Sequence, residues 1–225
     1  MLGTGTMLLS VSYYDLEGRV VQTRSQNHLS GTDVVDNSYS FAGELLSSER
    51  THTAHGVTTT IADGYEYDHA GRMLAQKQNI NGQGEVVLSR MSYNELGQLA
   101  QKRLHSTDGG TAFANATDLV YNERGWLKSS TNPKFTMSLL YQDGPVGQFN
   151  GNISAQQWGA GPSLPKSFDY RYDGLNRLTS GISVAGGMSE ILTYDAMGNI
   201  ASMERQGTGA NQYHYHSGGN RLHYV

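Results

Sequence analysis

The residues of this chain best suited to chemistry are eight histidines and a set of aspartates that recur in one sequence context. His52-x-x-His55 and His214-x-His216 hold pairs of imidazoles at short spacing. Two His at i and i+2 on a strand share a face and make half of a metal site. No third ligand and no acidic residue stands at ligand spacing, so these histidines are read as polar decoration of strands and the expected metal is none. Asp15, Asp68, Asp173 and Asp195 are candidates for paired-carboxylate work, but each opens a turn motif, where a carboxylate accepts backbone N–H bonds. Turn capping is the preferred role. There is no cysteine, and no Ser sits in a G-x-S-x-G context. GTG at 3–5, NGQGE at 81–85 and GTGAN at 207–211 resemble phosphate loops in composition alone. None has the G-K-[ST] ending or a complete G-x-G-x-x-G, so no cofactor is expected. Trp126 and Trp158, with tyrosines flanked by Asn, Asp and Gln, could stack on sugar rings. The competing reading for Trp126, placed opposite Asn122 on a polar face, is packing on an adjacent hairpin.

The elements that must position these groups follow from composition and period. Apolar residues make up 37% of the 225 positions and charged residues 16%, while Gly numbers 28 and Tyr 14. Few charges with many Tyr, Thr, Gly and Asn favour strands and turns over helical bundles or disorder. The formal net charge of −4, with Lys and Arg scattered singly, gives no reason to expect nucleic acid as a partner. The first residues, MLGTGTMLLSV, have no basic start and no long apolar core, so no cleavable signal is read there. No window approaches the roughly 18 apolar residues of a membrane helix, and a soluble chain without membrane insertion is expected.

One sentence is written repeatedly: YDLEGRVV, YDHAGRML, YNELGQLA, YNERGWLK, YDGLNRLT and YDAMGNIA. The clear copies begin at Tyr14, Tyr67, Tyr93, Tyr121 and Tyr194, with Gly18, Gly71, Gly97, Gly125 and Gly198 four residues on. The copy at Tyr172 has Asn176 in that place, the other residue that tolerates a left-handed backbone. Tyr39-SFAGEL is a weaker copy, FNGNI at Phe149 reads as a contracted one, and YHSGGNRL at Tyr215 as one expanded by a residue. Anchors at 18, 43, 71, 97, 125, 151, 176, 198 and 219 fill the chain with nine units at steps of 21–28. Residues 1–225 are therefore read as a single repeat region, with a change of repeat class near residue 165.

Asp or Asn at the first turn position and Gly at the fourth predict a type I turn closed by a left-handed residue, the three-residue hairpin loop with a bulge. That register pairs Tyr14 with Val20, Tyr67 with Met73, Tyr93 with Leu99, Tyr121 with Leu127, Tyr172 with Leu178 and Tyr194 with Ile200. Asp15–Arg19, Asp68–Arg72 and Asp173–Arg177 fall on the other face. One face is expected to be apolar and the other polar. Two strands alone are marginal in water, so each hairpin has to stack on its neighbours.

The Tyr-Asp-x-x-Gly-Arg pattern at this spacing resembles the YD or RHS repeat family over essentially the whole chain. The later units, FNGNIS, YDGLNRLTS and YDAMGNIASMER, look like RHS-repeat proteins of Gram-negative bacteria. The resemblance implies an all-β fold: tandem hairpins stacked into a curved, spiralling sheet, part of a shell. It also implies a larger RHS-type polypeptide enclosing a C-terminal toxin or effector as partner, and an exported or cell-surface location. The repeats themselves are not enzymes. In the family, self-cleavage occurs near an Asp-Pro motif; here Pro133, Pro145, Pro162 and Pro165 follow Asn, Gly, Gly and Leu, so no catalytic aspartate is carried over. Nine units are too few for a closed shell, and the chain is read as a fragment of a longer protein.

The expected function is thus non-catalytic: a repeat segment of a β-shell, with Tyr, Asp and Gly of the turns acting in folding. The alternative is a cell-surface adhesion or carbohydrate-binding module using exposed Tyr and Trp. An enzyme is the third and least supported reading.

Overall fold

The structure is a computed structural model that describes residues 7–184, 187–217 and 219–225. Among the described residues the regular structure is all β. The chain forms two compact units, Met1–Ala116 and Thr117–Val225.

The first unit holds β1 (Ser10–Tyr14), β2 (Val20–Gln26), β3 (Thr32–Tyr39), β4 (Leu45–Ala54), β5 (Val57–Tyr67), β6 (Met73–Ile80), β7 (Glu85–Tyr93) and β8 (Leu99–Ser106). Each strand pairs antiparallel with the next, from β1–β2 through β7–β8. In the second, β9 (Asn115–Tyr121) leads into β10 (Leu127–Thr131), β11 (Phe135–Leu140), β12 (Ala155–Ala160), β13 (Lys166–Tyr172), β14 (Leu178–Ser183), β15 (Glu190–Tyr194), β16 (Ile200–Arg205) and β17 (Thr208–Gln212). These too pair in sequence order. The short β18 (His214–Tyr215) and β19 (Leu222–Tyr224) form a separate two-stranded ladder.

Two kinds of turn alternate. Within each unit the repeat turns lie at one end of the strands, with Tyr14↔Val20, Tyr67↔Met73 and Tyr93↔Leu99 in the first and Tyr121↔Leu127, Tyr172↔Leu178 and Tyr194↔Ile200 in the second as their first strand pairs. A register shift follows each such pair, because the extra turn residue is absorbed as a bulge. At the other end of the strands in each unit lie short links, including two-residue turns with both centres left-handed at His55-Gly56 in the first and Gln206-Gly207 in the second.

Within each unit the strands in contact are neighbours in sequence, so each sheet is one layer thick. Among the described residues the largest fully buried side chains are small: Val87 and Ser106 in the first unit and Ser154 in the second. The clean division into an apolar and a polar face does not hold along the strands. Asp33 and Asn37 share the face of Tyr39 by the two-residue period, and Asp33 meets His52 of β4 across 2.6 Å. Asp63, on the face of Tyr67, accepts from Gln78 at 3.0 Å. A sheet with no second layer imposes no requirement that either face be apolar.

Candidate functional site

The repeat turns concentrate the recurring polar residues of the sequence pattern, and their geometry can be built from one example. In YDHAGR, Asp68 N–H donates to the Arg72 carbonyl at 2.9 Å and Gly71 N–H to the Asp68 carbonyl at 3.0 Å. Gly71 has φ +74°, and in the YDGLNR turn Asn176 takes the same place at +63°. One carboxylate oxygen of Asp68 accepts from the backbone N–H of Ala70 (2.9 Å) and Arg72 (3.0 Å), while the other takes Arg72 Nε at 2.7 Å. Asp15 and Asp173 repeat this set with Arg19 and Arg177, and Asp195 repeats it with the Asn199 amide in place of the guanidinium. Asn94 and Asn122 accept the same pair of backbone donors.

These bonds act on the charged form of the carboxylate. The Arg72 side chain and its backbone N–H hold Asp68 at about 2, below the usual 3.8. Asp173, bonded first by the Arg177 backbone N–H, and Asp195, bonded first by the Asn199 amide, are lowered too. At Asp15 partial burial opposes the shift, and the bonds from Arg19 and Glu17 outweigh it. A carboxylate whose lone pairs are filled in this way is a structural acceptor and a poor general acid or base at neutral pH.

The tyrosines connect one hairpin to the next. Tyr39 Oη donates to the Val20 carbonyl (3.0 Å), Tyr67 to Leu45 (3.0 Å), Tyr93 to Met73 (2.9 Å), Tyr172 to Ile153 (2.9 Å), Tyr194 to Leu178 (2.6 Å) and Tyr215 to Ile200 (2.9 Å). The acceptor is in each case the aliphatic residue that follows the preceding repeat turn. The arginine beside that aliphatic lies over the same ring, at 5.2 Å for Arg19–Tyr39, 4.6 Å for Arg72–Tyr93 and 4.5 Å for Arg177–Tyr194. The next turn must leave room for it: a Cβ on Gly97 would lie 2.7 Å from Arg72 Nη1. The Asp and Gly contacts of the motif thus close the turns, and the Tyr and Arg contacts described run between hairpins, with Tyr14 of the first turn outside this pattern among the described residues.

The unit around Phe149 is expanded, where a contracted copy was expected. Its tyrosine is Tyr141, 6% exposed, whose hydroxyl donates to the Leu127 carbonyl at 2.9 Å. Residues 142–152 are an enlarged loop that returns the chain to Ile153, and Phe149 is largely exposed. The insertion moved Tyr141 out of the four-residue spacing from Gly151, which hid it from the pattern. Trp126 packs against Tyr141, with ring centroids 5.1 Å apart, and against Gly151, while Arg124 lies 5.2 Å above it and reaches the Phe149 carbonyl. Its place is in the junction between hairpins. Trp158, Phe168 and Tyr170 form a row of stacked rings, at 5.3 and 6.1 Å, on one face of β12 and β13.

His52 and His55 are separated by the fold. His55 occupies a turn at φ +51°, while His52 Nδ1 meets Asp33, which also receives Arg50 at 3.2 Å. His214 stacks on Tyr224, and His216 lies at a tilt against His223, with ring centroids 4.4 Å apart. Among the described residues no three His, Asp or Glu converge as metal ligands. NGQGE and GTGAN lie in or after the links leading into β7 and β17, and GTG at 3–5 lies outside the described residues. Asp33–His52–Arg50 had no sequence signal, since Asp33 lies 17 and 19 residues from Arg50 and His52 in an unrelated word.

No family model and no curated protein matches the chain. Solved structures do. It is similar to TcdB2-TccC3 without its hypervariable C-terminal region (TM-score 0.57, 15% identity, 96% of this chain and 15% of that one). It is also similar to TcdB2-TccC3-TEV (TM-score 0.56, 14% identity, 87% and 12%). A chain of the Photorhabdus luminescens Tc holotoxin pore carrying a TccC3 mutation matches comparably (TM-score 0.56, 16% identity, 87% and 12%). The likeness is one of fold, and this chain spans 12–15% of the length of those chains.

Proposed function

We propose that this chain is a non-catalytic structural segment of an RHS-type protein, a stretch of hairpin lattice contributing to a β-shell that encloses or presents a toxin, effector or other polypeptide. The observation that carries this reading is the use of the motif itself. The polar residues a catalytic site would draw on are engaged turn after turn in the scaffold, Asp in closing the turns and Tyr and Arg in joining hairpins. The resemblance to RHS repeats and the fold shared with parts of Tc toxin chains support the same assignment. A single-layer sheet with both faces open suits a wall, since one face meets solvent and the other a cargo. Export from a bacterial cell follows from this reading.

The test is the mass of the native polypeptide in source cells, detected with an antibody against this segment, together with protease protection of whatever follows it. A species far above 24.5 kDa with a protected C-terminal portion is expected. A species at 24.5 kDa would overturn the proposal. It would favour the second reading, a carbohydrate-binding surface built on the Trp158–Phe168–Tyr170 row, which a glycan array would detect.

A further inference from the structure

One face of the second unit joins a row of rings to unpaired positive charge. Phe135 opposes Ala160, Trp158 opposes Lys166 and Tyr170 opposes Gly181, so by the two-residue period Phe135, Trp158, Lys166, Phe168 and Tyr170 share that face of β11–β14. The rings are not laid out as an open platform. Trp158 and Phe168 stack with planes 13° apart, and Phe168 and Tyr170 with planes 24° apart, so each ring turns a side to its neighbour. Tyr170 also lies over Gly181, where a Cβ would come within 3.2 Å of its Cε1, and its hydroxyl donates to Gln156 Oε1 at 3.1 Å. A sugar stacks on an open aromatic face, and its hydroxyls both donate and accept. Here the row covers its own inner faces.

A depression of about 370 Å³ adjoins Trp158, lined also by Phe135, Ala160, Pro165, Lys134 and Lys166. Phe135 is 47% exposed there. The polar side-chain groups of this lining are all donors: two ammonium groups and the indole N–H. None of the three has a hydrogen-bond or ion-pair partner among the described residues. Arg19, Arg72, Lys77 and Arg177, by contrast, are each paired with a carboxylate. Side chains that only donate, set among apolar walls, complement carboxylates that stand beside an apolar group.

We propose that this depression is a docking site for the enclosed polypeptide, and that it takes a segment in which an apolar or aromatic side chain stands next to Asp or Glu. The apolar side chain enters between Phe135 and Trp158, and the flanking carboxylates meet Lys134 and Lys166. The ring-bearing face of β11–β14 is then the face turned to the cargo. The inference rests on the shell reading and gives it a point of attachment of stated chemistry.

Two measurements separate the site from the shell. In the first, the chain is titrated by calorimetry with a capped peptide that holds a Phe between two Glu. A Kd below about 1 mM is expected. Exchanging the Glu for Lys, or the Phe for Ser, should abolish measurable binding. Lys134→Gln and Lys166→Gln should each weaken it about fivefold, the upper range of one surface ion pair. Thermal unfolding should stay unchanged in both, because neither ammonium has a partner among the described residues. In the second, a zero-length carbodiimide, which condenses an amine with a carboxylate, is applied to the native polypeptide. Cross-links from Lys134 or Lys166 into the protease-protected portion are expected. Absence of peptide binding, binding indifferent to the lysine variants or to peptide charge, or cross-links into hairpins alone would each overturn the proposal, while a large native species with a protected portion would still uphold the shell. Binding of an oligouronate through the same lysines, with none of the peptide, would overturn it in favour of an acidic saccharide. A native species at 24.5 kDa would remove the shell and its enclosed occupant together, whatever the peptide does.

Discussion

The hydroxyl of Tyr93 donates to the backbone carbonyl of Met73 across 2.9 Å, and Arg72, beside Met73 in the chain, lies 4.6 Å from the centre of the same ring. Two residues twenty positions apart are thus held by a bond to the backbone, which no substitution at Met73 removes. The arginine arrives at the ring already oriented, because Asp68 holds its Nε at 2.7 Å. Turn and junction are therefore one device: the bond that closes a hairpin also aims the side chain that grips the next.

Removing that hydroxyl should cost stability without disturbing the turn. Tyr93→Phe is expected to lower stability by about 1 kcal/mol, a Tm shift of roughly 2–4 °C. Tyr14→Phe, at a hydroxyl with no partner among the described residues, should leave unfolding unchanged. Urea titrations of the two variants side by side check this, and equal effects would contradict the junction model.

The expanded unit makes a sharper comparison. Tyr141→Phe should destabilise by about 1 kcal/mol, like a substitution at any other repeat tyrosine. Phe149→Ser, at a largely exposed ring, should change stability by less than about 0.5 kcal/mol. Reversed outcomes in thermal unfolding would restore Phe149 as the repeat aromatic.

Acid should weaken the turns in a defined window. The folded-state pKa of Asp68, about 2, lies below its ordinary 3.8. The stabilisation from its ionised form is therefore complete above about pH 4 and is lost as pH falls toward 2. Asp173 and Asp195 shift in the same direction and add to the effect. Asp68→Asn keeps an acceptor for the backbone donors, as Asn94 and Asn122 do, and should flatten the pH dependence of the unfolding midpoint between 4 and 2.

The left-handed turn position should resist branched side chains. Gly71→Val forces a β-branched residue to φ +74° and is expected to destabilise by about 1–3 kcal/mol. Thermal unfolding unchanged from the parent would refute the turn assignment.

The hairpins were legible because their determinants are local. A turn closed by Asp68, Gly71 and Arg72 lies within five residues, and Tyr67 pairs with Met73 just outside it, so the steric demand of a left-handed position and the capping demand of a turn are written together. The same locality explains the misreading at Phe149: the pattern assumes a fixed spacing from tyrosine to anchor, and an insertion in the loop leaves the anchor glycine while displacing the tyrosine.

From residue types and spacing alone came the all-β repeat class, the anchors, the cross-strand tyrosine–aliphatic pairs and the assignment of the aspartates to turns. Tertiary structure decided what the tyrosines and arginines do, since Tyr39–Val20 or Tyr194–Leu178 are contacts between hairpins whose partners lie 16–19 residues apart. It also decided that polar pairs such as Asp33–His52 sit on the tyrosine face. The physical reason is range: a turn is set by sterics and hydrogen bonds among neighbouring residues, whereas a junction exists only after two hairpins have met, and its acceptor is a backbone carbonyl that every residue carries and no sequence pattern can mark.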